Sequence, residues 1–207
     1  MLFRSHLIAL ASSGIESISD IPDGARVGVG PQGGTPGTYM PQILEMLGKD
    51  VEIRYGGASD LAGQLQDGLI DVFGFAAGLP IAAFSQLEAQ VDVNFIGFTE
   101  EEVDMLVDAL PVSAFTIPAD TYPTLEEDQN SVSMWNFAIA NADVSDDLVY
   151  AVTKTVMENH DRMMTIHGAS AQTLPENFDK NTFIPWHPGA VRWFEESGYD
   201  IPDDLKG

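Results

Sequence analysis

The groups in this chain best placed to do chemistry are backbone N–H groups. Residues 27–47 read VGVGPQGGTPGTYMPQILEML, a short strand passing through a glycine-rich loop into an amphipathic helix. Glycines at Gly30, Gly33, Gly34 and Gly37 give the chain dihedrals closed to other residues and let peptide N–H groups approach a ligand. A helix starting behind the loop aims the positive end of its dipole at the same spot, so a carboxylate or phosphate is stabilised there without a basic side chain. The alternative is an ordinary strand-to-helix connection. The loop has no lysine of the G-x-x-x-x-G-K-[ST] kind, and no catalytic set accompanies it.

Charge narrows the partners further. Among 207 residues, 32 Asp and Glu face 9 Lys and Arg, a formal net charge of −23. A nucleic-acid backbone would be repelled, so no nucleic-acid partner is expected. The acids are spread along the chain, which describes a solvated surface on a folded domain and suits a salty or extracytoplasmic setting. There is no cysteine, hence no disulfide, no thiolate nucleophile and no cysteine zinc site. No apolar run approaches the ~20 residues needed to span a bilayer, and the first ten residues lack the pattern of a signal peptide.

The elements that must position the loop alternate. Strands are expected at 26–30, 51–55, 71–75 and 93–98, each closed by a turn signal. Between them Met40, Ile43, Leu44 and Leu47 mark one helix face, Leu61, Leu65 and Leu69 a second, and Val103, Leu106, Val107 and Leu110 a third. This βαβαβ order predicts an α/β fold with a largely parallel sheet covered by helices. Ligands bind beyond the carboxyl ends of such strands. Three glycine-bearing loops, 31–38, 56–60 and 76–80, fall on that edge.

The character changes after Leu110. Residues 115–130 read as a long surface connection, and 131–140 as an apolar extended stretch. A helix then opens at Ser145, its N-cap, with Asp146 and Asp147 in the first turn and Val149, Val152, Val156 and Met163 on one packed face. A final helix opens near Pro188 and stops at Gly198. Residues 6–11 form another apolar strand, and with 131–140 it brackets the alternating region.

Six strings in order, SGIESISD (13–20), VGVGP (27–31), DGLIDVFGFAAGLP (67–80), IPADTYP (117–123), DLVYAVTKTV (147–156) and IPWHPGAVRWF (184–194), resemble the TAXI family. These are the solute receptors of tripartite ATP-independent periplasmic (TRAP) transporters. The resemblance implies a type II periplasmic-binding fold, two α/β lobes closing on a solute, and a receptor that is not an enzyme. It implies capture of a small anionic solute, a glutamate-like amino acid or dicarboxylate, outside the membrane for delivery to TRAP permease subunits. It also implies a fragment: 1–14 as the end of one lobe and a hinge strand, 15–130 as a complete lobe, and 131–207 as the return strand and C-terminal helices of the first. Met1 to Ser5 do not look like the family. The ligand-binding set carried over is Gly33, Gly34 and Thr35 with the turn from Ala76 to Gly78. The family's Gly-Ser-Gly-Thr run is here Gly33, Gly34, Thr35, Pro36, and Pro41 sets the helix start no earlier than about Thr38, which leaves Thr35 free and makes Thr38 the cap. The nearest alternative is a receptor of the NMT1/THI5-like type serving an ATP-driven (ABC) importer. A phosphate-ligand enzyme or sensor domain is a further one.

Tyr122 and Trp135 flank the expected lobe crossover, and either could line a cleft. Asn136 follows on the same extended segment as a donor. Arg54 ends a strand, where a salt bridge with a neighbouring acid is expected. His160 and His167 read as a surface pair with no third metal ligand, His187 as part of a turn, and Glu126 and Glu127 as solvated acids. No catalytic residue, metal site or cofactor is expected.

Overall fold

The computed structural model describes residues 2–207, Leu2 through its backbone alone. The described residues divide into two units, Phe3–Met134 and a smaller one of Trp135–Gly207 with Leu2.

In the larger unit, strand β1 (Leu2–Leu10) is followed by β2 (Arg26–Val29), helix α1 (Thr35–Met46), β3 (Glu52–Tyr55), α2 (Ala58–Gln66) and β4 (Val72–Ala77). Next come α3 (Ala82–Glu88), β5 (Val93–Ile96), α4 (Glu100–Ala109), β6 (Ser113–Ile117) and β7 (Gln129–Trp135). The strands form one seven-stranded sheet in the order β3-β2-β4-β1-β7-β6, with β5 also paired to β1. β2 runs parallel to β3 and β4, whereas β1 is antiparallel to both β4 and β5, and β6 to β7. The sheet is therefore mixed and not largely parallel, because β1 enters it reversed beside β4.

Side-chain alternation along the strands sorts the core into two layers. Val27, Val29, Val72 and Leu7 pack with Met40, Ile43 and Leu44 of α1 and with Val103 and Leu106 of α4. Ile8 and Phe73 point the other way, to Leu61 and Leu65 of α2 and Phe84 of α3. Gly28 sits where α2 presses on the sheet: a Cβ there would lie 2.6 Å from Ile70 Cδ1 and 3.0 Å from Leu61 Cδ2. Leu69 and Val107, expected on packed faces, are exposed; Leu69 lies past the end of α2.

Two expectations fail for local reasons. α1 starts at Thr35, not Thr38, with Gly34 as N-cap in extended conformation. Pro36 takes its second position and Pro41 lies inside the helix, where it forgoes the bond to the Gly37 carbonyl. The supposed surface connection holds strand β6, and Ile117, Tyr122 and Leu125 are buried. Its β-branched and aromatic residues outweigh its turn residues once β7 is there to pair with.

The smaller unit is helical: α5 (Asp146–Met157), α6 (His160–Met164) and α7 (Pro188–Glu196). Ser145 caps α5 by accepting the Leu148 N–H. His187 caps α7, its Nδ1 accepting the Gly189 N–H at 3.2 Å while Nε2 bonds the Val144 carbonyl at 3.0 Å. α5 packs on α7, and the buried cluster of this unit among the described residues is Val191, Trp193, Phe194 and Ile201, with Ala169 and Ala190 also buried.

At the amino ends of β2 and β4 the Arg26 guanidinium grips Asp71 with two bonds, 3.0 Å from Nε and 2.6 Å from Nη2, and the Arg26 N–H adds a third at 2.8 Å. Those bonds hold the Asp71 carboxyl below its ordinary range. A carboxyl depressed by folding contributes stability that is present above its unfolded value, about 3.9, and lost as pH falls through the lower folded value. Asp71→Asn is expected to lower the melting temperature at neutral pH, and the difference from the parent should shrink steadily below about pH 4. Thermal melts of both proteins across pH 2–8 check this.

Candidate functional site

Because β2, β3 and β4 run parallel, their carboxyl ends share one edge of the sheet. Three loops leave from it, after Val29, Tyr55 and Ala77. β1, being antiparallel to β4, brings Arg4 opposite Ala77 at the same edge. Arg4 is 3% exposed, its guanidinium lies over the Phe115 ring at 4.8 Å, and burial lowers its pKa. Reading the first five residues as foreign to the rest hid this cation.

The loop into α1 is built by its glycines. Gly33 has φ +78°, the left-handed region. A Cβ on Gly37 would overlap the Pro31 carbonyl oxygen, and one on Gly30 would overlap the Pro36 ring, so the first turn of α1 presses directly onto the loop. Gly34 supplies no side-chain cap, and the first turn carries no acidic residue. The first N–H of α1 to find a helical acceptor is that of Thr38, bonded to the Gly34 carbonyl at 2.9 Å. Pro36 has no N–H, and those of Thr35 and Gly37 donate to nothing among the described residues. Two other helices of this unit are filled, α2 by Asp60 in its first turn and α4 by a Thr99–Glu102 capping box with Glu100 and Glu101 beside it, whereas α3, like α1, has neither a side-chain cap nor an acid in its first turn. The start of α1 is left open in a chain otherwise crowded with acids. An anion placed there would complete the turn.

Gly28, Gly30 and Gly33 also fall at the G-x-G-x-x-G spacing of a dinucleotide fingerprint. The context differs. That motif needs an acidic residue at the end of the next strand, and β3 ends in Tyr55 followed by Gly56 and Gly57.

The eight expected binding residues fall in different settings. Gly33, Gly34 and Thr35 lie at the start of α1, and Gly78 lies in the loop after β4. Ala76 is not in a turn: it is inside β4, 2% exposed and paired with Ser5. Tyr122 is wholly buried. Its hydroxyl accepts the Ile81 N–H at 2.8 Å and meets His6 Nε2 at 2.8 Å, and its ring stacks on Phe95 at 4.5 Å between centroids. Burial pushes the Tyr122 hydroxyl up and the His6 imidazole down to about 3, so both are neutral. Tyr122 therefore fastens the Gly78–Ile81 loop from beneath rather than lining an opening. Trp135 and Asn136 belong to the smaller unit, where they line a cavity of about 740 Å3.

The remaining candidates have structural occupations. Arg54 bonds Glu52 at 2.7 Å on the surface. His160 faces the Ser170 carbonyl, and His167 accepts the Ala169 N–H. Among the described residues no three His, Cys, Asp or Glu side chains gather as a metal set.

With this geometry in place, comparison with known proteins decides the lineage. Residues 4–198 match the NMT1-like family. The chain belongs to the NMT1-like family. The match starts at Arg4, which places Arg4 and Ser5 inside the family's sequence, and it falls on the alternative left open above and not on TAXI. Solved structures similar to this NMT1-like chain include the alkanesulfonate-binding protein SsuA from Xanthomonas axonopodis pv. citri bound to MOPS (12% identity, TM-score 0.48, 92% of this chain and 54% of that one). Another is the amino acid ABC transporter substrate-binding protein AbpA from Streptococcus pneumoniae bound to L-arginine (16%, TM-score 0.42, 87% and 59%). A third is a putative L-cystine ABC transporter from Listeria monocytogenes (19%, TM-score 0.44, 78% and 54%). The chain spans between 54% and 59% of the length of these three structures.

Tyr122→Phe leaves the Ile81 N–H and His6 Nε2 without their shared partner in a buried site, a loss of about 1–3 kcal/mol. Chemical denaturation is expected to show that loss, with amide NMR shifts concentrated at Gly78 to Ala83.

Proposed function

We propose that this chain is the solute-capturing part of an extracytoplasmic binding protein and that it seats the anionic end of a small solute at the start of α1. The observation that carries the reading is that open helix start: Gly34 without a cap, the Thr35 and Gly37 N–H groups unspent, and no acid in the first turn. The Gly78 loop and Arg4 border the same sheet edge. Membership of the NMT1-like family supports a binding protein that serves an ABC importer. The solute class is a carboxylate or sulfonate of amino-acid size, since backbone donors and a helix dipole recognise charge and shape and do not read the rest of the molecule. In this reading a permease would complete the transport system; no helix among the described residues is long and apolar enough to cross a membrane. The TRAP permease stands as a second reading on the strength of the six sequence strings. A gene neighbourhood holding an ATPase favours the first, and one holding a fused TRAP permease the second.

A titration of the 15N-labelled chain with glutamate, succinate and methanesulfonate tests the site itself. The amides of Thr35 and Gly37 are expected to shift with at least one of them, at millimolar affinity. Thr35→Asp places a carboxylate in the first turn, where it favours the helix dipole. It is expected to leave the melting temperature unchanged or higher while weakening the anion at least tenfold. Equal binding by the variant, or shifts confined to other regions, would overturn the assignment.

A further inference from the structure

The loop between β4 and α3 is short and pinned at both ends. β4 ends at Ala77 and the Ile81 N–H is held by the Tyr122 hydroxyl, which leaves only Gly78, Leu79 and Pro80 between the two fixed points. The N–H groups of Gly78 and Leu79 donate to nothing among the described residues, and both residues are half-buried. Where the Tyr122 hydroxyl sits, these two donors follow. The hydroxyl is in turn placed by His6 of β1, whose Nε2 lies 2.8 Å from it. The direction of that bond follows from counting protons. Tyr122 oxygen already accepts the Ile81 N–H; were it to accept from Nε2 as well, its own proton would be buried without an acceptor. The hydroxyl therefore donates to a bare Nε2, and the ring proton sits on Nδ1. The Arg4 carbonyl favours a proton on this ring, against the effect of burial, and with Nε2 engaged it acts through Nδ1, in a contact too open to count as a full hydrogen bond.

We propose that His6 is a positioning residue for the solute. Its bare Nε2 orients the Tyr122 hydroxyl and through it holds the Gly78 and Leu79 N–H groups as a second seat, for the far carboxylate of a dicarboxylate or acidic amino acid whose first carboxylate lies at the start of α1. This rests on the reading of α1 given above and deepens it by naming the solute class. β2 and β4, which carry the two seats, are neighbours in the sheet and about 5 Å apart. A short dicarboxylate bridges that span. Packing alone gives no reason for a polar pair at this place, because His6 lies edge-on to Phe84 at 4.8 Å between centroids and Tyr122 stacks on Phe95, so apolar rings would fill the same space. A buried polar pair with its bonds made selects one arrangement of the groups attached to it. Here the attached group is the loop.

The test titrates the 15N-labelled chain, His6→Phe and His6→Gln with butyrate, which has one carboxylate, and with succinate, which has two. In the parent, succinate is expected to bind about tenfold more tightly than butyrate, the worth of one further hydrogen-bonded seat, and to shift the Gly78 and Leu79 amides that butyrate leaves in place. His6→Phe keeps a ring in the core but offers no acceptor. It is expected to erase the advantage of succinate while leaving butyrate binding unchanged, and His6→Gln, whose Oε1 can accept the Tyr122 proton, to restore part of it. Long-range 1H–15N correlation in the parent is expected to show a bare Nε2 and a protonated Nδ1, a result that does not depend on how the variants fold. Equal binding of the two probes by the parent, an equal loss of both in His6→Phe, no recovery in His6→Gln, or a protonated Nε2 would each overturn the proposal and leave the α1 site standing. Butyrate that shifts neither Thr35 nor Gly37 in the parent would overturn the reading of α1, and the proposal with it.

Discussion

The parallel seating of β2 between β3 and β4 is the constraint on which the rest of the larger unit depends. It sets the carboxyl ends of three strands on one edge, so the loops that follow are brought together by hydrogen bonding of the strands, continued one step further by the Gly56 N–H to the Gly30 carbonyl at 3.4 Å. The close approaches allowed by Gly28, Gly30 and Gly37 then fix the helices: α2 against the sheet, and the first turn of α1 against its own loop. A helix start held this rigidly is preorganised for an anion, and backbone donors held by packing lose little freedom when they bind. The same edge receives Arg4 because β1 enters antiparallel.

Polar groups around that edge are managed in opposite ways. The His6–Tyr122–Ile81 set is buried, neutral and satisfied at the hydroxyl, so it serves the position of a loop. The α1 start is unsatisfied, with Gly33 exposed, Thr35 half-buried and Gly37 buried behind them. In an acidic protein most helix starts fill themselves, as α4 does with Glu102. One that stays empty is available for a ligand.

Much of the framework was legible in the sequence. Apolar spacing at Met40, Ile43 and Leu44 and at Leu61 and Leu65 located two helices, and Ser145 and Pro188 located two more starts, because these signals are local. What failed was non-local. No pattern within 6–11 reveals that β1 pairs antiparallel with β4, and none within 115–130 reveals that Tyr122 will be roofed over by the loop it holds. The Thr38 start failed because Pro41 was weighed as a helix breaker, whereas Gly37 packing on Pro31 anchors the turn three residues earlier. Arg4 was passed over because a basic residue near a chain end carries no sign of burial. The α5 face expected to be packed holds no buried residue, with Val152 54% exposed, because helical spacing of apolar residues does not say what packs on them.

The central claim is that α1 opens on an anion site made by backbone N–H groups. A crystal structure with a bound carboxylate or sulfonate tests it most directly. The account predicts an anionic oxygen about 2.7–3.2 Å from the Thr35 and Gly37 nitrogens. An anion bound elsewhere, with those two N–H groups still unspent, would contradict it.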